Sequence, residues 1–232
     1  MKSLVERKKQ DWASRTDCEV YEDEMGSYAK AADQSVVEAF TKRLWGRALD
    51  LPCGAGRFTN FLLDNEFQVI GADYNLLMLK NTKKRTGAPV VNCDAFSNPF
   101  KQHSFDLLLA MRLVFHYPSQ EKLLRSLISA LRPGGVLIFD TLNKYSFRYW
   151  MHFPVALYRR NPGMALHFRT RQETRVMVRR LGLRLMDHQS RFLLPGRVYQ
   201  YLPAFAVKLL EFLERILPSF LRGVSYWKAV KT

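Results

Sequence analysis

Residues 49–58 read Leu49-Asp50-Leu51-Pro52-Cys53-Gly54-Ala55-Gly56-Arg57-Phe58, and the fold can be worked out from this stretch. The apolar run over Trp45–Leu51 predicts a buried parallel strand. Gly54 and Gly56 follow, and the apolar spacing over Phe58–Asn65 then predicts a helix. A strand, a glycine-rich turn and a helix bring bare backbone against a nucleotide-like ligand. The three-glycine dinucleotide fingerprint is incomplete here, so the ligand has to be inferred from the sequence that follows.

The composition indicates one globular domain. The chain has 232 residues, of which 47% are hydrophobic and 25% charged, and this excludes a disordered chain. Residues 1–11 lack an apolar stretch, so we expect no secretory signal. Cys18, Cys53 and Cys93 lack metal-ligand spacing. We interpret them as reduced thiols of a cytoplasmic protein and expect no metal site.

The net charge of +15 is unevenly distributed along the chain. Residues 143–232 hold 17 Lys and Arg against 4 Asp and Glu. This asymmetry points to an acidic partner, either a membrane surface or a nucleic acid. The alternative is a solvated basic face that aids solubility.

From residue 45 onward, predicted strands alternate with predicted helices. The strands are expected at 45–51, 68–72, 89–93, 105–111 and 136–139, and the helices at 58–65, 76–84 and 121–131. Elements of these lengths predict an open, mostly parallel α/β sheet with helices on both faces. Asp73, Asp94 and Asp140 follow three of the strands, at the edge where such sheets bind ligands.

The flanking segments are less regular. Residues 1–45 are predicted to be helical, with Asp33 as the N-cap of a helix over 33–44 and 21–28 as either a lid or a surface linker. Residues 142–167 are rich in aromatic and basic side chains. We then expect a helix at 172–181, a strand at 183–192, an amphipathic helix at 203–221 and a closing strand at 224–230, antiparallel to 183–192.

Two of the acids have the chemistry of nucleoside recognition. Asp73 is placed to accept hydrogen bonds from both hydroxyls of a ribose. Asp94 is placed to accept one from an exocyclic amine such as that of adenine, with Phe96 covering an aromatic ring. Each acid alone would be an ordinary turn or helix cap. The two acids together, in this order and at this spacing, are much less expected by chance than either acid alone.

Residues 45–140 resemble the class I S-adenosylmethionine-dependent methyltransferases, in particular the small-molecule type of ubiquinone and menaquinone biosynthesis. The resemblance rests on residues 49–56, Gly71-Ala72-Asp73-Tyr74-Asn75, Asn92-Cys93-Asp94-Ala95-Phe96, Ser104-Phe105-Asp106-Leu107 and Leu131-Arg132-Pro133-Gly134-Gly135. Pro52 departs from the glycine of many members, which removes a backbone N–H but leaves Gly54 and Gly56 in place.

The resemblance implies one domain over residues 1–232. It would be a Rossmann-like sheet of seven mostly parallel strands with an antiparallel last strand and helical lid insertions. Residues 1–45 would form an N-terminal helical lid, 46–140 the cofactor-binding core, and 141–170 and 197–222 the acceptor-side insertions.

The resemblance also implies S-adenosylmethionine as the cofactor. The residues implied to bind it are Tyr28, Asp50, Gly54, Ala55, Gly56, Asp73, Tyr74, Asp94, Ala95, Met111 and Arg112. Among these, Asp50 and the two glycines would line the methionine part, Tyr74 would pack on adenine, and Met111 and Arg112 would border the sulfonium. Tyr28 would close the pocket from the N-terminal side.

Methyl transfer is an in-line displacement that depends mainly on alignment and on exclusion of water. A base is needed where the acceptor is a hydroxyl, and His116 is the candidate, with a structural histidine as the alternative. The aromatic and aliphatic flanks favour a small apolar or lipid-like acceptor. The helix at 203–221 either docks on an anionic bilayer, at the inner face of the membrane, or packs on the domain.

Three other functions stay open. The charge favours a nucleic-acid (RNA) methyltransferase, but Ala110-Met111-Arg112-Leu113 stands where a base-flipping enzyme would carry an Asn-Pro-Pro-Tyr type of motif. A non-catalytic S-adenosylmethionine-binding protein would keep the same fold. Redox use of a nicotinamide is the weakest of the three.

Overall fold

A computed structural model describes residues 26–150 and 166–232, together with Glu6 and Gln10. In these residues the strands are β1 (Arg47–Asp50), β2 (Gln68–Asp73), β3 (Val90–Asn92), β4 (Phe105–Ala110), β5 (Leu131–Asn143), β6 (Phe168–Arg169), β7 (Leu183–Arg191) and β8 (Val224–Lys231). The main helices are α1 (Ser27–Thr41), α2 (Arg57–Asp64), α3 (Leu76–Thr86), α4 (Gln120–Ser129), α5 (Arg171–Arg180) and α6 (Ala204–Ile216).

The strands form one sheet in the order β3-β2-β1-β4-β5-β8-β7, with β6 paired to β5. The pairings among β1 to β6 are parallel, and β8 is antiparallel to both of its neighbours, β5 and β7. The predicted Rossmann-like sheet with an antiparallel last strand is therefore confirmed. The eighth strand, β6, was not predicted because a two-residue strand is too short to show a periodic pattern.

Helices cover both faces of the sheet and divide the core in two. On one face, Leu123 and Leu127 of α4 and Met177 of α5 belong to one buried cluster. On the other face, Val37 of α1 and Leu62 of α2 belong to a second cluster. Because the parallel strands are covered on both sides, their residues are apolar in almost unbroken runs, which is why the sequence predicted them well.

Three predicted boundaries are wrong, each for a local reason. Asp33 is not an N-cap, because α1 begins at Ser27 and the Asp33 carboxylate is buried against side chains rather than backbone N–H groups. The strand predicted at 136–139 runs instead from Leu131 to Asn143, because Leu131 already pairs with Phe105 of β4. The helix predicted at 203–221 ends at Ile216, because Pro218 disfavours helical backbone at Leu217.

The predicted lid over residues 1–45 and the insertion over 141–170 lie partly outside the described residues, as do the 21–28 lid alternative and Cys18. Their subdivision of the domain stays a prediction. None of the described helices has both the length and the apolar character needed to cross a bilayer.

Candidate functional site

The glycine turn joins β1 to α2 at the carboxyl edge of the sheet. Gly54 and Gly56 have φ of 53° and 86°, in the left-handed region that favours glycine. A Cβ on Gly56 would also come within 3.1 Å of the Thr82 side chain, whereas a Cβ on Gly54 would meet nothing within 4 Å. The backbone at Gly54 is therefore open to a ligand, and Gly56 allows α2 to begin against α3.

Asp73, at the end of β2, ties the glycine turn to the next helix. Its Oδ2 accepts from the Gly54 N–H at 3.0 Å, and its Oδ1 accepts from the Asn75 N–H at 2.9 Å. Burial raises the pKa of Asp73, although the backbone donors of Asn75, Gly54 and Tyr74 oppose the rise. Each carboxylate oxygen has a second lone pair, so Asp73 has acceptor capacity left for a ligand.

Asp94 follows β3 and occupies the corresponding place one strand further along. Its Oδ1 accepts from the Phe96 N–H at 2.9 Å and caps the short 3₁₀ helix Ala95–Ser97. The Phe96 ring lies edge-on to Tyr117, with ring centroids 5.0 Å apart. These contacts form one wall of a crevice that opens beyond β1, β2 and β4.

The structure brings nine of the predicted site residues to this crevice. They are Gly54, Ala55, Asp73, Tyr74, Asp94, Ala95, Met111, Arg112 and His116. The sequence did not point to Lys30, Arg57 or Tyr117, which also line it. Arg57 directly follows the glycine turn and Tyr117 directly follows His116, so proximity was the only available signal. Lys30 had no signal, because it comes from a helix far away in sequence.

Asp50 and Gly56 lie behind the turn and do not line the crevice. Asp50 is fully buried, and its Oδ2 accepts from the Thr59 hydroxyl at 2.7 Å. Its Oδ1 has no hydrogen-bond partner in the part of the chain that the structure describes. Burial, with a smaller contribution from the negative charge of Asp73, raises the pKa of Asp50 to about 7.

Tyr28 was predicted to close the pocket, and the structure places it elsewhere. Its ring stacks on Tyr199 with centroids 4.6 Å apart, and its hydroxyl donates to Glu211 at 3.0 Å. These contacts direct Tyr28 toward α6, so it does not line the crevice. Lys30, two residues further along α1, lines the crevice instead.

Asp33 fastens α1 to the crevice through a buried group that we call the Asp33 network: Asp33, Arg57, Arg112, Asp140 and Tyr226. The Arg112 guanidinium donates to both Asp33 oxygens, with Nη2–Oδ1 at 2.7 Å and Nε–Oδ2 at 3.1 Å. Arg57 Nη2 lies 3.3 Å from Oδ2, and the Tyr226 hydroxyl donates to Oδ1. The Arg112 N–H, at φ 59°, donates to Asp140 at 2.7 Å. The sequence did not indicate this network, because its members come from α1, α2, the turn after β4, β5 and β8.

Burial also governs the ionisation of Asp140. It raises the pKa of the Asp140 carboxyl to about 6, although the positive charge of Arg112 opposes the rise. Arg112 itself remains charged, because the carboxylates of Asp33 and Asp140 outweigh the cost of its burial.

The middle of the chain matches a family model described as a methyltransferase domain, over residues 49–139. The match covers less than half of the chain. The matched residues, which we call the matched segment, begin in β1 and end in β5, so they include the glycine turn, Asp73, Asp94 and His116.

The fold agrees with this assignment. The crystal structure of an S-adenosylmethionine dependent methyltransferase from Mesorhizobium loti superposes with a TM-score of 0.66, at 20% identity over 86% of this chain and 98% of that chain. At this identity the likeness shows the fold alone. The matched segment thus lies within a fold that extends beyond it to β7 and β8.

Two curated relatives match this chain over stretches of 101 and 115 residues. The malonyl-[acyl-carrier protein] O-methyltransferase of Enterobacter lignolyticus is 33% identical over 101 residues, 43% of this chain and 40% of the relative. The ubiquinone biosynthesis O-methyltransferase of Idiomarina loihiensis is 29% identical over 115 residues, 47% of each. The matched stretch thus spans less than half the length of either relative.

Proposed function

We propose that the protein is an enzyme that moves the methyl group of S-adenosylmethionine to a small, apolar or lipid-like acceptor. The observation that carries this proposal is the crevice beyond β1, β2 and β4. It places an open glycine turn beside Asp73 and Asp94, inside the segment that matches a methyltransferase domain.

Each part of the cofactor has a candidate contact in the crevice, beginning with the ribose. Asp73 accepts from the ribose hydroxyls, with the lone pairs that Gly54 and Asn75 leave unused. Tyr74 packs on the adenine ring, and Asp94 accepts from its amine beside Ala95. At the other end, the methionine part lies along the Gly54–Ala55 backbone, with Asp50 and Gly56 supporting the turn from behind. Met111 and Arg112 border the sulfonium.

Transfer requires the acceptor atom to approach the methyl group opposite to the sulfur, in a site from which water is excluded. His116 ends the 3₁₀ helix Val114–His116 after β4 and lines the crevice. For a hydroxyl acceptor, the His116 imidazole would accept the proton while the methyl carbon–sulfur bond breaks, the carbon–oxygen bond forms and the sulfur leaves as a neutral thioether. Arg112 lines the crevice on the same side as His116, and its guanidinium is held in place by Asp33.

The apolar character of the crevice supports the acceptor class. Phe58, Met78, Phe96 and Leu113 line it. The two curated relatives are named for O-methylation of malonyl-[acyl-carrier protein] and for ubiquinone biosynthesis. We therefore favour an elongated acceptor over a nucleotide in RNA, although the positive charge of the chain keeps RNA as the second candidate.

The exposed face of α6 supports delivery from a membrane. Phe205, Leu209, Phe212 and Ile216 lie on one helix face and are 75%, 55%, 56% and 60% exposed. An apolar helix face next to a strongly basic region is typical of peripheral docking on an anionic bilayer. The expected location is therefore the cytoplasmic face of the membrane.

The first test is calorimetric titration of the full chain with S-adenosylmethionine. We expect binding in the wild type, and a loss of about 1–3 kcal/mol, roughly 5–150-fold in affinity, in Asp73→Ala, because buried ribose hydroxyls lose their acceptor. Asp64→Ala removes an exposed carboxylate at the end of α2 and serves as the matched control, with unchanged affinity. Thermal unfolding of each variant verifies that the glycine turn still folds.

The outcomes separate the candidates. Absence of wild-type binding at millimolar cofactor would remove the enzyme proposal. Binding with turnover on RNA, and a steep dependence of RNA affinity on salt, would favour the second candidate. Binding with no turnover on quinol, acyl or RNA acceptors would indicate a non-catalytic binding protein.

A further inference from the structure

A second group of polar side chains lies at the other end of the carboxyl edge, where β7 ends and β8 begins. We call it the Arg171 cluster: Arg171, His188, Ser190, Ser219 and Arg222. The Arg171 Nη2 lies 2.7 Å from the Ser219 hydroxyl, 3.2 Å from that of Ser190 and 3.4 Å from His188 Nδ1. Arg222 Nη1 donates to the Ser190 carbonyl at 3.2 Å. The two guanidinium groups therefore converge on one serine.

Within the described ranges, the Arg171 cluster forms no ion pair with an acid. In those ranges both arginines bond only to hydroxyls, an imidazole nitrogen and backbone carbonyls, and the Nε of each is buried without a partner. The charge of Glu214 acts on Arg222, but the Glu214 Oε1 already accepts from the Tyr199 hydroxyl at 2.7 Å and from the Leu193 N–H at 3.2 Å.

Further positive charge faces the cluster. Burial lowers the pKa of Arg171, and the charges of Arg175 and Arg222 lower it more. Burial and the positive charges of Arg171, Arg175 and Arg222 lower the pKa of His188 to about 3, so this imidazole is neutral at physiological pH. Arg191 adds repulsion on Arg222. An excess of partly buried cations over acids is costly unless an anion joins them.

The proton positions leave a donor for such an anion. The Arg171 Nη2 carries two N–H groups, and its two nearest acceptors are the hydroxyls of Ser219 and Ser190. Ser190 Oγ also lies 3.3 Å from His188 Nε2 and 3.2 Å from Ser225 Oγ. Ser219 accepts from Arg171, so its own hydroxyl proton is available to a ligand.

We propose that the Arg171 cluster is a binding site for a phosphate group, held by the guanidinium groups of Arg171 and Arg222 and by the Ser219 hydroxyl. A tetrahedral oxyanion matches the forked donors of arginine and supplies the missing negative charge. Arg171, Ser219 and Arg222 each keep part of their surface exposed, so the site is open to solvent. Three strand steps separate β4, beside the crevice, from β7, about 14 Å at ordinary strand spacing. The site is therefore separate from the cofactor crevice.

The phosphate could belong to a free metabolite or to a lipid headgroup. The Arg171 cluster lies next to α6, since Ser219 and Arg222 follow that helix directly. This position suits a lipid whose headgroup is bound by the arginines while its tails contact the apolar face of α6. The experiment therefore has one arm for each source.

The test titrates the full chain with inorganic phosphate at low ionic strength. We expect wild-type binding, a loss of at least tenfold in affinity in Arg171→Gln and in Arg222→Gln, and a smaller loss in Ser219→Ala. Arg180→Gln, an exposed arginine on the same helix as Arg171, is the matched control and should bind phosphate as the wild type does. Thermal unfolding and cofactor titration on the same samples verify that each variant is folded.

The second arm measures co-sedimentation with phosphatidylcholine vesicles with and without phosphatidylglycerol. Binding that needs phosphatidylglycerol, is lost in Arg222→Gln and is competed by phosphate assigns the site to a headgroup. Phosphate binding without vesicle binding assigns it to a free phosphate compound. Absence of wild-type phosphate binding at about 10 mM, or equal binding in all four variants, overturns the proposal. Cofactor binding is independent of this result, so a failure here leaves the proposed transferase function untouched.

Discussion

At the crevice end of the carboxyl edge, Asp50, Asp73 and Asp94 stand close together, and burial raises the pKa of the first two. At the β7–β8 end, Arg171 and Arg222 stand together without an ion pair among the described residues, and burial and repulsion from Arg175 and Arg222 lower the pKa of Arg171. Between them lies the Asp33 network, in which buried charges of both signs are paired at hydrogen-bond distance. The three regions share one sheet edge and differ in how their charge is balanced.

The difference in charge balance between the three regions indicates where a ligand is expected. In the Asp33 network the protein supplies the positive and the negative groups, so the cost of burying each charge is offset by its partner. The network then serves to hold α1 on the domain. At the two ends the charges are not paired in this way: Asp73 forms no ion pair among the described residues, since Arg57 and Arg112 are engaged by Asp33, and Arg171 and Arg222 form none either. A cationic cofactor balances the acids of the crevice, and a phosphate balances the arginines of the Arg171 cluster. An unbalanced group is thus a sign of binding, and a balanced one a sign of structure.

The largest expected effect comes from breaking the balanced group. Asp33→Ala leaves Arg57, Arg112 and the Tyr226 hydroxyl without their shared acceptor, and we expect a loss of about 3–5 kcal/mol in the free energy of unfolding. Urea unfolding followed by circular dichroism measures it. Glu121→Ala, which removes the partner of the exposed Arg125 on α4, is the control and should cost no more than about 0.5 kcal/mol. A loss below about 1 kcal/mol in Asp33→Ala would show that the network does not hold α1.

The crevice end should show its unbalanced charge in the pH dependence of stability. Because the pKa of Asp50 is about 7 when folded and about 4 when unfolded, the folded chain binds more protons between these values. The free energy of unfolding therefore falls as pH rises from about 4 to about 7. Asp50→Asn lacks this titration, so the stability of the wild type relative to the variant should decline by roughly 2–4 kcal/mol across that window.

Urea unfolding of the cofactor-free protein at pH 5, 6, 7 and 8 checks this prediction. Asp140, whose pKa is about 6, titrates in both proteins and cancels in the difference. Asp64→Asn, at the exposed end of α2, is the control and should track the wild type at every pH. A constant difference between wild type and Asp50→Asn would mean that Asp50 keeps an ordinary pKa.

The same comparison explains what the sequence could predict. The parallel strands and the acids at their ends were predictable, because each depends on a short local pattern of apolar residues followed by Asp73 or Asp94. The family motifs added the cofactor. The Asp33 network was not predictable, since it joins residues up to 193 positions apart. Tyr28 was misplaced for the same reason, because its partners Tyr199 and Glu211 come from the far end of the chain.

The smallest predicted effect tests whether positive charge is in excess at the β7–β8 end. Arg175 faces Arg171 and His188, so Arg175→Gln should raise the free energy of unfolding by about 0.2–0.5 kcal/mol at low salt. Arginine and glutamine have similar helix propensity, so the change in charge dominates the change in stability.

The control is Arg180→Gln, which removes a charge from the last turn of the same helix, where the helix dipole favours it. This variant should lower the free energy of unfolding. Both changes in the free energy of unfolding should vanish near 1 M NaCl, where the screening length is about 3 Å. Equal destabilisation by the two variants would mean that the arginines of the cluster are already balanced, and an anion would then have no charge to neutralise.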